Sequence, residues 1–251
     1  MSPLEPRESV IIVTGGSRGI GAEIVRILHA QGHPVLFTHA SADQEGPRLA
    51  ETLNRSGPAC RALQMDVTQG DAPERIFDAA QAMGYVTGLV NNAGITGPLG
   101  RLSALADRDL ERILAVNLQA PIRLCRQAAL RWTGRPHRSH IVNISSIAAR
   151  LGAPEEYVAY AASKGGLESF SVGLAKELAT ENIHVNVVAP GTVHTSIHAR
   201  AGEAGRPERV AARIPLKRAG QAEEIAQAVA WLLSGQASYV TGTVLTVSGG
   251  L

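Results

Sequence analysis

A single α/β domain, built on a seven-stranded doubly wound parallel sheet with helices on both faces, is the fold this sequence predicts. Three observations carry it. Short apolar, β-branched runs alternate with helically patterned stretches from one end of the chain to the other. The runs are near-continuously apolar, as strands are when both faces of their sheet are covered. The first run leads directly into a Gly-rich turn that opens a helix, Thr14-Gly15-Gly16-Ser17-Arg18-Gly19-Ile20-Gly21. The 251 residues, 45% hydrophobic and 18% charged, suffice for one large core. No linker, charge run or repeat divides them, so 1–251 reads as one domain.

Taken in order, 9–14 is the first strand, carried by Ser9-Val10-Ile11-Ile12-Val13. The helix 20–31 follows, with Ile24, Val25, Ile27 and Leu28 at helical spacing and Gly32 as its stop. Strand 34–38 precedes helix 44–56, and strand 60–65 precedes helix 71–83. Gly88-Leu89-Val90 marks strand 87–91, after which a long helical pattern runs over 107–132. Strand 139–144 ends in two hydroxyls, Ser145 and Ser146, ahead of helix 158–180. Strand 183–188, helix 221–234 and strand 242–246 complete the alternation. Between them, 191–216 is the longest irregular stretch, with Pro207 and Pro215, and reads as an inserted lid. Ligands of such a sheet bind beyond the carboxyl ends of its strands, at the point where strand order reverses.

Two local patterns carry chemistry. A strand, a glycine turn and a helix aim backbone N–H groups and a helix N-terminus at a phosphate; glycine removes the Cβ atoms in the way. The spacing here, Gly15-x3-Gly19-x-Gly21, differs from the commoner Gly-x-Gly-x-x-Gly. The second pattern is Tyr160-Ala161-Ala162-Ser163-Lys164. Residues four apart share a helix face. An isolated tyrosine keeps its proton to about pH 10. A fixed ammonium close by favours the phenolate, so Lys164 is expected to lower the Tyr160 pKa and make it an acid/base group near neutral pH.

Together with Asn91-Asn92-Ala93-Gly94, Asn117 in Val116-Asn117-Leu118, Ser146, and Pro190-Gly191, these motifs resemble the short-chain dehydrogenase/reductase family. They occur in the family's order from residue 14 to the C-terminus. The resemblance implies a Rossmann-type fold and hydride transfer between a nicotinamide cofactor and a carbonyl or secondary alcohol. Tyr160 would exchange the proton, Ser146 would donate to the substrate oxygen, and Lys164 would also bind the nicotinamide ribose. Asn117 would hold a water linking Lys164 to solvent; read from its neighbours alone, it is equally a satisfied core residue. Gly15, Ser17, Arg18, Gly19, Ile20 and Gly21 would cradle the pyrophosphate. Asn92, Ala93 and Gly94 would line the cofactor with backbone. Asp66 and Val67 would meet the adenine, unless Asp66 is only a turn residue. Pro190, Gly191, Thr192, Val193 and Thr195 belong to the nicotinamide side. The gap from Ser146 to Tyr160 is one residue longer than in many relatives, which points to an insertion around Pro154-Glu155-Glu156. Tyr157 has no ammonium four residues on.

The second strand is followed by His39, Ala40 and Ser41, and the first carboxylate after it is Asp43. A site for NAD normally places Asp or Glu there for the ribose 2′-hydroxyl. Arg18, His39 and Ser41 would instead suit a 2′-phosphate, so NADP(H) is expected over NAD(H). The substrate pocket is expected between Ala148, Leu151, Tyr157 and Val193–His198, for a small polar carbonyl or hydroxyl compound. The stretch 196–250 looks closest to bacterial sugar-dehydrogenase-like and ketoacyl-reductase-like members. A non-catalytic, NADP(H)-sensing regulator is the alternative of a different class. By resemblance the chain forms a homotetramer, through apolar residues on the two long helices (Leu124, Ala128, Leu130; Leu167, Phe170, Val172, Leu174) and the C-terminal strand.

Composition narrows the rest. A formal charge of +2 with scattered basic residues gives no concentrated face for nucleic acid or an anionic membrane. Cys60 and Cys125 lie in apolar surroundings without metal-ligand spacing, so no metal is expected. Residues 1–8 lack the apolar core of a signal peptide and nothing reaches membrane-spanning length, which makes the cytoplasm the default.

Overall fold

The runs Val10/Ile12 and Ile11/Val13 alternate across the first strand, and the strand is buried from end to end. Val10 and Ile12 join one apolar cluster while Ile11 and Val13 join another, so each face of the strand meets its own layer of helices. The computed structural model describes residues 9–42 and 44–251. The readings made for residues 1–8 and for Asp43 lie outside the described residues.

Seven strands form one sheet, all parallel: β1 (Ser9–Val13), β2 (Val35–His39), β3 (Cys60–Gln64), β4 (Tyr85–Asn91), β5 (Ser139–Ile144), β6 (Ile183–Pro190) and β7 (Val244–Val247). Their order is β3-β2-β1-β4-β5-β6-β7. The chain steps outward from β1 to β3, then returns to the other side of β1 and steps outward again. The crevice between β1 and β4 is therefore the switch point. On one face α1 (Gly19–Ala30) and α2 (Glu45–Leu53) pack with a late helix, Ala222–Leu233. On the other lie α3 (Ala72–Gln81), the helices of 107–132 and a long helix, Val158–Leu178.

The pattern over 107–132 predicts one helix; the chain forms α4 (Asp107–Leu114), a π-turn (Ala115–Gln119) and α5 (Ala120–Trp132). Pro121 supplies a reason. It has no N–H for the Asn117 carbonyl four residues back, and its ring crowds that carbonyl, so the helix widens. After β5 come α6 (Ala148–Leu151) and α7 (Val158–Leu178). The stretch 191–216 contains two short helices, α8 (Ile197–Arg200) and α9 (Arg206–Ala211), before α10 (Ala222–Leu233).

A buried polar ladder fastens α7 to the sheet. Asn91 on β4 donates to Asn143 on β5 at 2.8 Å, Asn143 donates to Ser171 at 2.8 Å, and Ser171 donates to the Leu167 carbonyl at 2.6 Å. Polar side chains at full burial are tolerated because each makes at least one hydrogen bond, although Asn91 Oδ1 is left without one. Their effect is to fix the axial position of α7, and with it Tyr160 and Lys164. Leu124, Ala128 and Leu167 are fully in this core and are not free for a partner subunit, contrary to the sequence reading; Leu130 is 72% exposed. The reason is that both helices spend much of their apolar surface on the sheet and on each other.

Candidate active site

The Gly-rich turn is shaped by close approach. Gly15 has φ +65°, a conformation side chains rarely adopt. A Cβ on Gly21 would lie 2.2 Å from the Gly15 carbonyl oxygen and 2.5 Å from Asn92 Nδ2. Asn92 Nδ2 itself donates to the carbonyls of Thr14 and Gly15, both at 2.9 Å. The Thr14 hydroxyl accepts from the Asn92 and Ala93 amides at 3.0 and 3.1 Å. The turn after β1 and the turn after β4 are thus clamped to one another. Helix α1 starts at Gly19 with no side-chain cap, so its first N–H groups have no side-chain acceptor. This uncapped N-terminus borders an open cavity of about 810 Å³ beyond the carboxyl ends of the strands. A clamped glycine cradle and an uncapped helix start fit a dinucleotide's pyrophosphate.

Every cofactor residue read from the sequence lines that cavity, from Gly15 to Thr195, and so do Ser146, Tyr160 and Lys164. Asn117 does not. Tyr160 is 9% exposed and Lys164 3% exposed. Ser145 is tied into the fold, donating to Glu168 Oε1 at 2.8 Å and to the Lys164 carbonyl at 3.4 Å. Ser146, whose Oγ accepts from the Ala148 amide at 3.1 Å, also lies by the Tyr160 hydroxyl and opposes the rise in its pKa. The two adjacent serines are thereby separated into a structural one and one facing the tyrosine.

The expected effect of Lys164 on Tyr160 is not what the geometry gives. Lys164 Nζ donates to the Ile144 carbonyl on β5 at 2.7 Å and sits 5.8 Å from the centre of the Tyr160 ring. Burial raises the Tyr160 pKa above its ordinary value, opposed by the Ser146 hydrogen bond and by the charge of Arg206. Burial also pulls the Lys164 pKa down to about 8. The sequence argument counted the ammonium and not the loss of water around both groups. The cation that acts on the tyrosine here is Arg206.

Asn117 sits on the π-turn and is fully buried. Its Oδ1 accepts from the Ile95 amide at 2.9 Å, and its Nδ2 donates to the Ile95 carbonyl at 2.8 Å and to Ser163 Oγ at 3.1 Å. The side chain braces the loop after β4 against α7. Both of its polar atoms are engaged by protein, so its side chain has no atom left over for a water.

At the end of β2, Arg18 Nη2 donates to Ser41 Oγ at 2.5 Å, and Arg18 Nε lies 3.2 Å from Glu45. His39 is buried, with Nδ1 2.8 Å from the Ser41 carbonyl. Among the described residues, no carboxylate of this strand end lines the cavity. Asp66 forms a turn, accepting from the Thr68 amide and hydroxyl at 3.0 and 2.7 Å, and pairs with Arg112 at 2.9 Å. Burial would raise its carboxyl, but the Thr68 hydrogen bonds and Arg112 hold it below the usual range. Asp66 therefore serves the turn while still facing the cavity beside Val67.

The segment around Pro154-Glu155-Glu156 is a tight turn with positive φ at Ala153 and Glu155. It presents Glu156 to two guanidinium groups of α9, Arg206 at 2.6 Å and Arg209 at 2.8 Å. Burial alone would raise the Glu156 carboxyl; these hydrogen bonds hold it low. Tyr157 packs edge-on against Tyr160 with ring centres 5.6 Å apart, beneath Arg206 at 5.2 Å. Of the expected pocket wall, Ala148, Leu151 and Tyr157 line the cavity, as do Val193 and Thr195–His198, while His194 does not. The His198 ring is held by the lid itself, with Nε2 3.1 Å from the Val193 carbonyl. Arg206, Arg213 and Arg112 also line the cavity and were missed. The arginine-rich composition hid them; the paired prolines around 206–216 were the available signal that this stretch turns back on itself.

Comparison with known proteins gives a consistent picture. A family model described as enoyl-(acyl carrier protein) reductase matches residues 15–251. The chain is 39% identical over 245 residues to the uncharacterized oxidoreductase YgfF of Escherichia coli strain K12, covering 96% of this chain and 99% of that one. It is 37% identical over 243 residues to the 3-oxoacyl-[acyl-carrier-protein] reductase FabG of the same organism, covering 96% of each. Among solved structures it is similar to a blue fluorescent protein from a metagenomic library, crystallised in complex with NADPH, with TM-score 0.87, 35% identity, and coverage of 96% and 97% of the two chains.

Proposed function

The chain belongs to the short-chain dehydrogenase/reductase family of oxidoreductases, and from that premise we propose that it is an NADP(H)-dependent enzyme interconverting a carbonyl and a secondary alcohol. The observation that carries the reading is the meeting of Ser146, Tyr160 and Lys164 in one cavity with the clamped glycine turn. The bound dinucleotide supplies or accepts the hydride. In the direction of reduction Ser146 donates a hydrogen bond to the carbonyl oxygen and holds it beside Tyr160. The Tyr160 hydroxyl, kept protonated by its burial, gives its proton to the developing alkoxide. Lys164 stays charged below about pH 8 and stabilises the phenolate left behind. A water would return the proton from solvent. The turn Pro190-Gly191-Thr192, which lines the cavity, would hold the nicotinamide, and 191–216 would act as a lid over the substrate within a single domain.

Preference for NADP(H) is supported by the fork of Arg18, by Ser41, and by the lack of a described carboxylate at the cavity end of β2. The similar structure that holds NADPH points the same way. Retention of both Tyr160 and Lys164 favours catalysis over a sensing role. The test combines binding and turnover. NADPH is expected to bind more tightly than NADH. Tyr160→Phe is expected to keep NADPH affinity and lose turnover by roughly 10²–10⁴-fold against a panel of aldehydes, ketones, thioesters and sugars. Tighter NADH binding overturns the cofactor assignment; near-normal turnover of the variant overturns the role of Tyr160.

A further inference from the structure

Arg206 opens α9, the second short helix of the 191–216 stretch, and its guanidinium joins that helix to two other parts of the fold. One nitrogen donates to Thr192 Oγ1 at 3.2 Å, on the turn after β6. Another donates to Glu156 at 2.6 Å, on the turn before α7. The same guanidinium lies 5.2 Å from the centre of the Tyr157 ring, within reach of a cation–π contact, and Tyr157 meets Tyr160 edge-on. The Glu156 carbonyl accepts from the Gly100 amide at 2.8 Å, so the acceptor belongs to the body of the fold and not to the lid.

Charges within this cluster balance. Arg209 bonds Glu156 and Glu203, which gives two guanidinium groups and two carboxylates and leaves no demand for an outside anion. The Arg206–Glu156 pair is the more buried one, with side chains 14% and 24% exposed. Separating a buried pair is costly, so this contact decides where α9 rests. Against it, the Arg206 Nε–H is buried without an acceptor, which disfavours the docked position and keeps the contact reversible. His198 of α8 faces Arg206 as well, and burial together with that charge lowers its pKa. Lys164, the other cation near the Tyr160 ring, stands on α7 itself and stays in place wherever α9 lies.

We propose that Arg206 is a positioning residue for the reaction: by latching α9 to Glu156 it sets Tyr157 against Tyr160, so that the proton donor takes its working arrangement beneath a docked lid. This rests on the carbonyl–alcohol reading above and names the residue that couples the lid to that chemistry. When α9 docks, a guanidinium arrives with it at the tyrosine pair. When α9 lifts, Tyr160 loses that charge and Tyr157 loses the contact that orients it. A nearby cation favours the phenolate, so Tyr160 releases its proton more readily with the lid down, while the substrate is enclosed.

Two measurements on the full-length protein decide this. Tyrosinate absorbance, titrated in the wild type and in Tyr160→Phe and taken as the difference, reads the ionisation of Tyr160 without any substrate. In the Arg206→Gln background that ionisation is expected at higher pH; Arg206→Lys, which keeps the charge but lacks the fork, is expected closer to wild type. In reduction of the same aldehyde, ketone, thioester and sugar panel at saturating NADPH, Arg206→Gln and Glu156→Gln are expected to lower kcat by roughly 10–100-fold, beyond any change in KM. Glu208→Gln, on the same helix but outside the latch, is expected to match the wild type. An unmoved Tyr160 ionisation in Arg206→Gln overturns the proposal, as does a kcat within about twofold of wild type. If Arg206→Gln does not fold, Glu156→Gln decides: a lowered kcat at an unchanged melting temperature supports the latch, and a wild-type kcat overturns it. Near-normal turnover of Tyr160→Phe overturns the reaction reading and this inference together. Turnover that needs Tyr160 but is indifferent to Arg206 overturns this inference alone. If no compound in the panel turns over, the absorbance titration decides by itself.

Discussion

Lys164 illustrates how a functional side chain works against the fold that holds it. Its ammonium is almost wholly buried, with the Ile144 carbonyl as its hydrogen-bond acceptor, and burial brings its pKa from 10.5 to about 8. The folded value lies below the unfolded one, so folding disfavours the charged lysine. The penalty is complete below about pH 8, shrinks as pH rises, and is gone above about 10.5. Its size at pH 7 is about 3 kcal/mol before the hydrogen bond offsets part of it. Lys164→Met is therefore expected to unfold at higher urea at pH 7, by on the order of 1–2 kcal/mol, while losing turnover. The gain should fade between pH 8 and 10.5. A gain independent of pH, or a loss at pH 7, refutes the account. The spacing to Tyr160 is legible in the sequence; the direction of both pKa shifts is not, because it depends on how much water the surrounding elements exclude.

Elements show the same division. The turn from β1 to α1 is readable from its glycines, yet which glycine cannot change is decided in part by Asn92, far along the chain. A Cβ on Gly21 would collide with the Gly15 carbonyl oxygen and with Asn92, whereas Gly70 has nothing within 4 Å. Gly21→Ala is expected to cost about 1–3 kcal/mol of stability and to weaken NADPH binding, with Gly70→Ala near neutral in both. Unfolding curves and NADPH titrations of the pair check this; indistinguishable variants would mean the clamp is looser than the geometry implies. The break of 107–132 into α4, a π-turn and α5 carries the companion lesson. Apolar periodicity ran straight through it, and Pro121 was the residue that signalled otherwise.

At the scale of the whole molecule, apolar surface remains on the single chain. Leu130 on α5 is 72% exposed, Phe170 and Val172 on α7 are partly exposed, and edge strand β7 is only half covered along its length. An uncovered sheet edge and apolar patches on two adjacent helices are surfaces a second copy can cover. A homotetramer is expected in sedimentation, with Leu130→Lys reducing it to smaller species without unfolding the chain. A monomer at micromolar concentration would remove this expectation. No helix among the described residues is long and apolar enough to cross a membrane.

The sequence by itself determined the order of strands and helices, the placement of every proposed cofactor residue after a strand, and the pair Tyr160 and Lys164. Those features are local: they follow from periodicity, glycine placement and spacing along one helix. Tertiary structure alone decided that Ser145 is tied to Glu168, that Asn117 braces Ile95, and that Arg206 is the cation felt by the tyrosine. These depend on which groups lose water together and which distant segments meet, and nothing short of the packed chain fixes that.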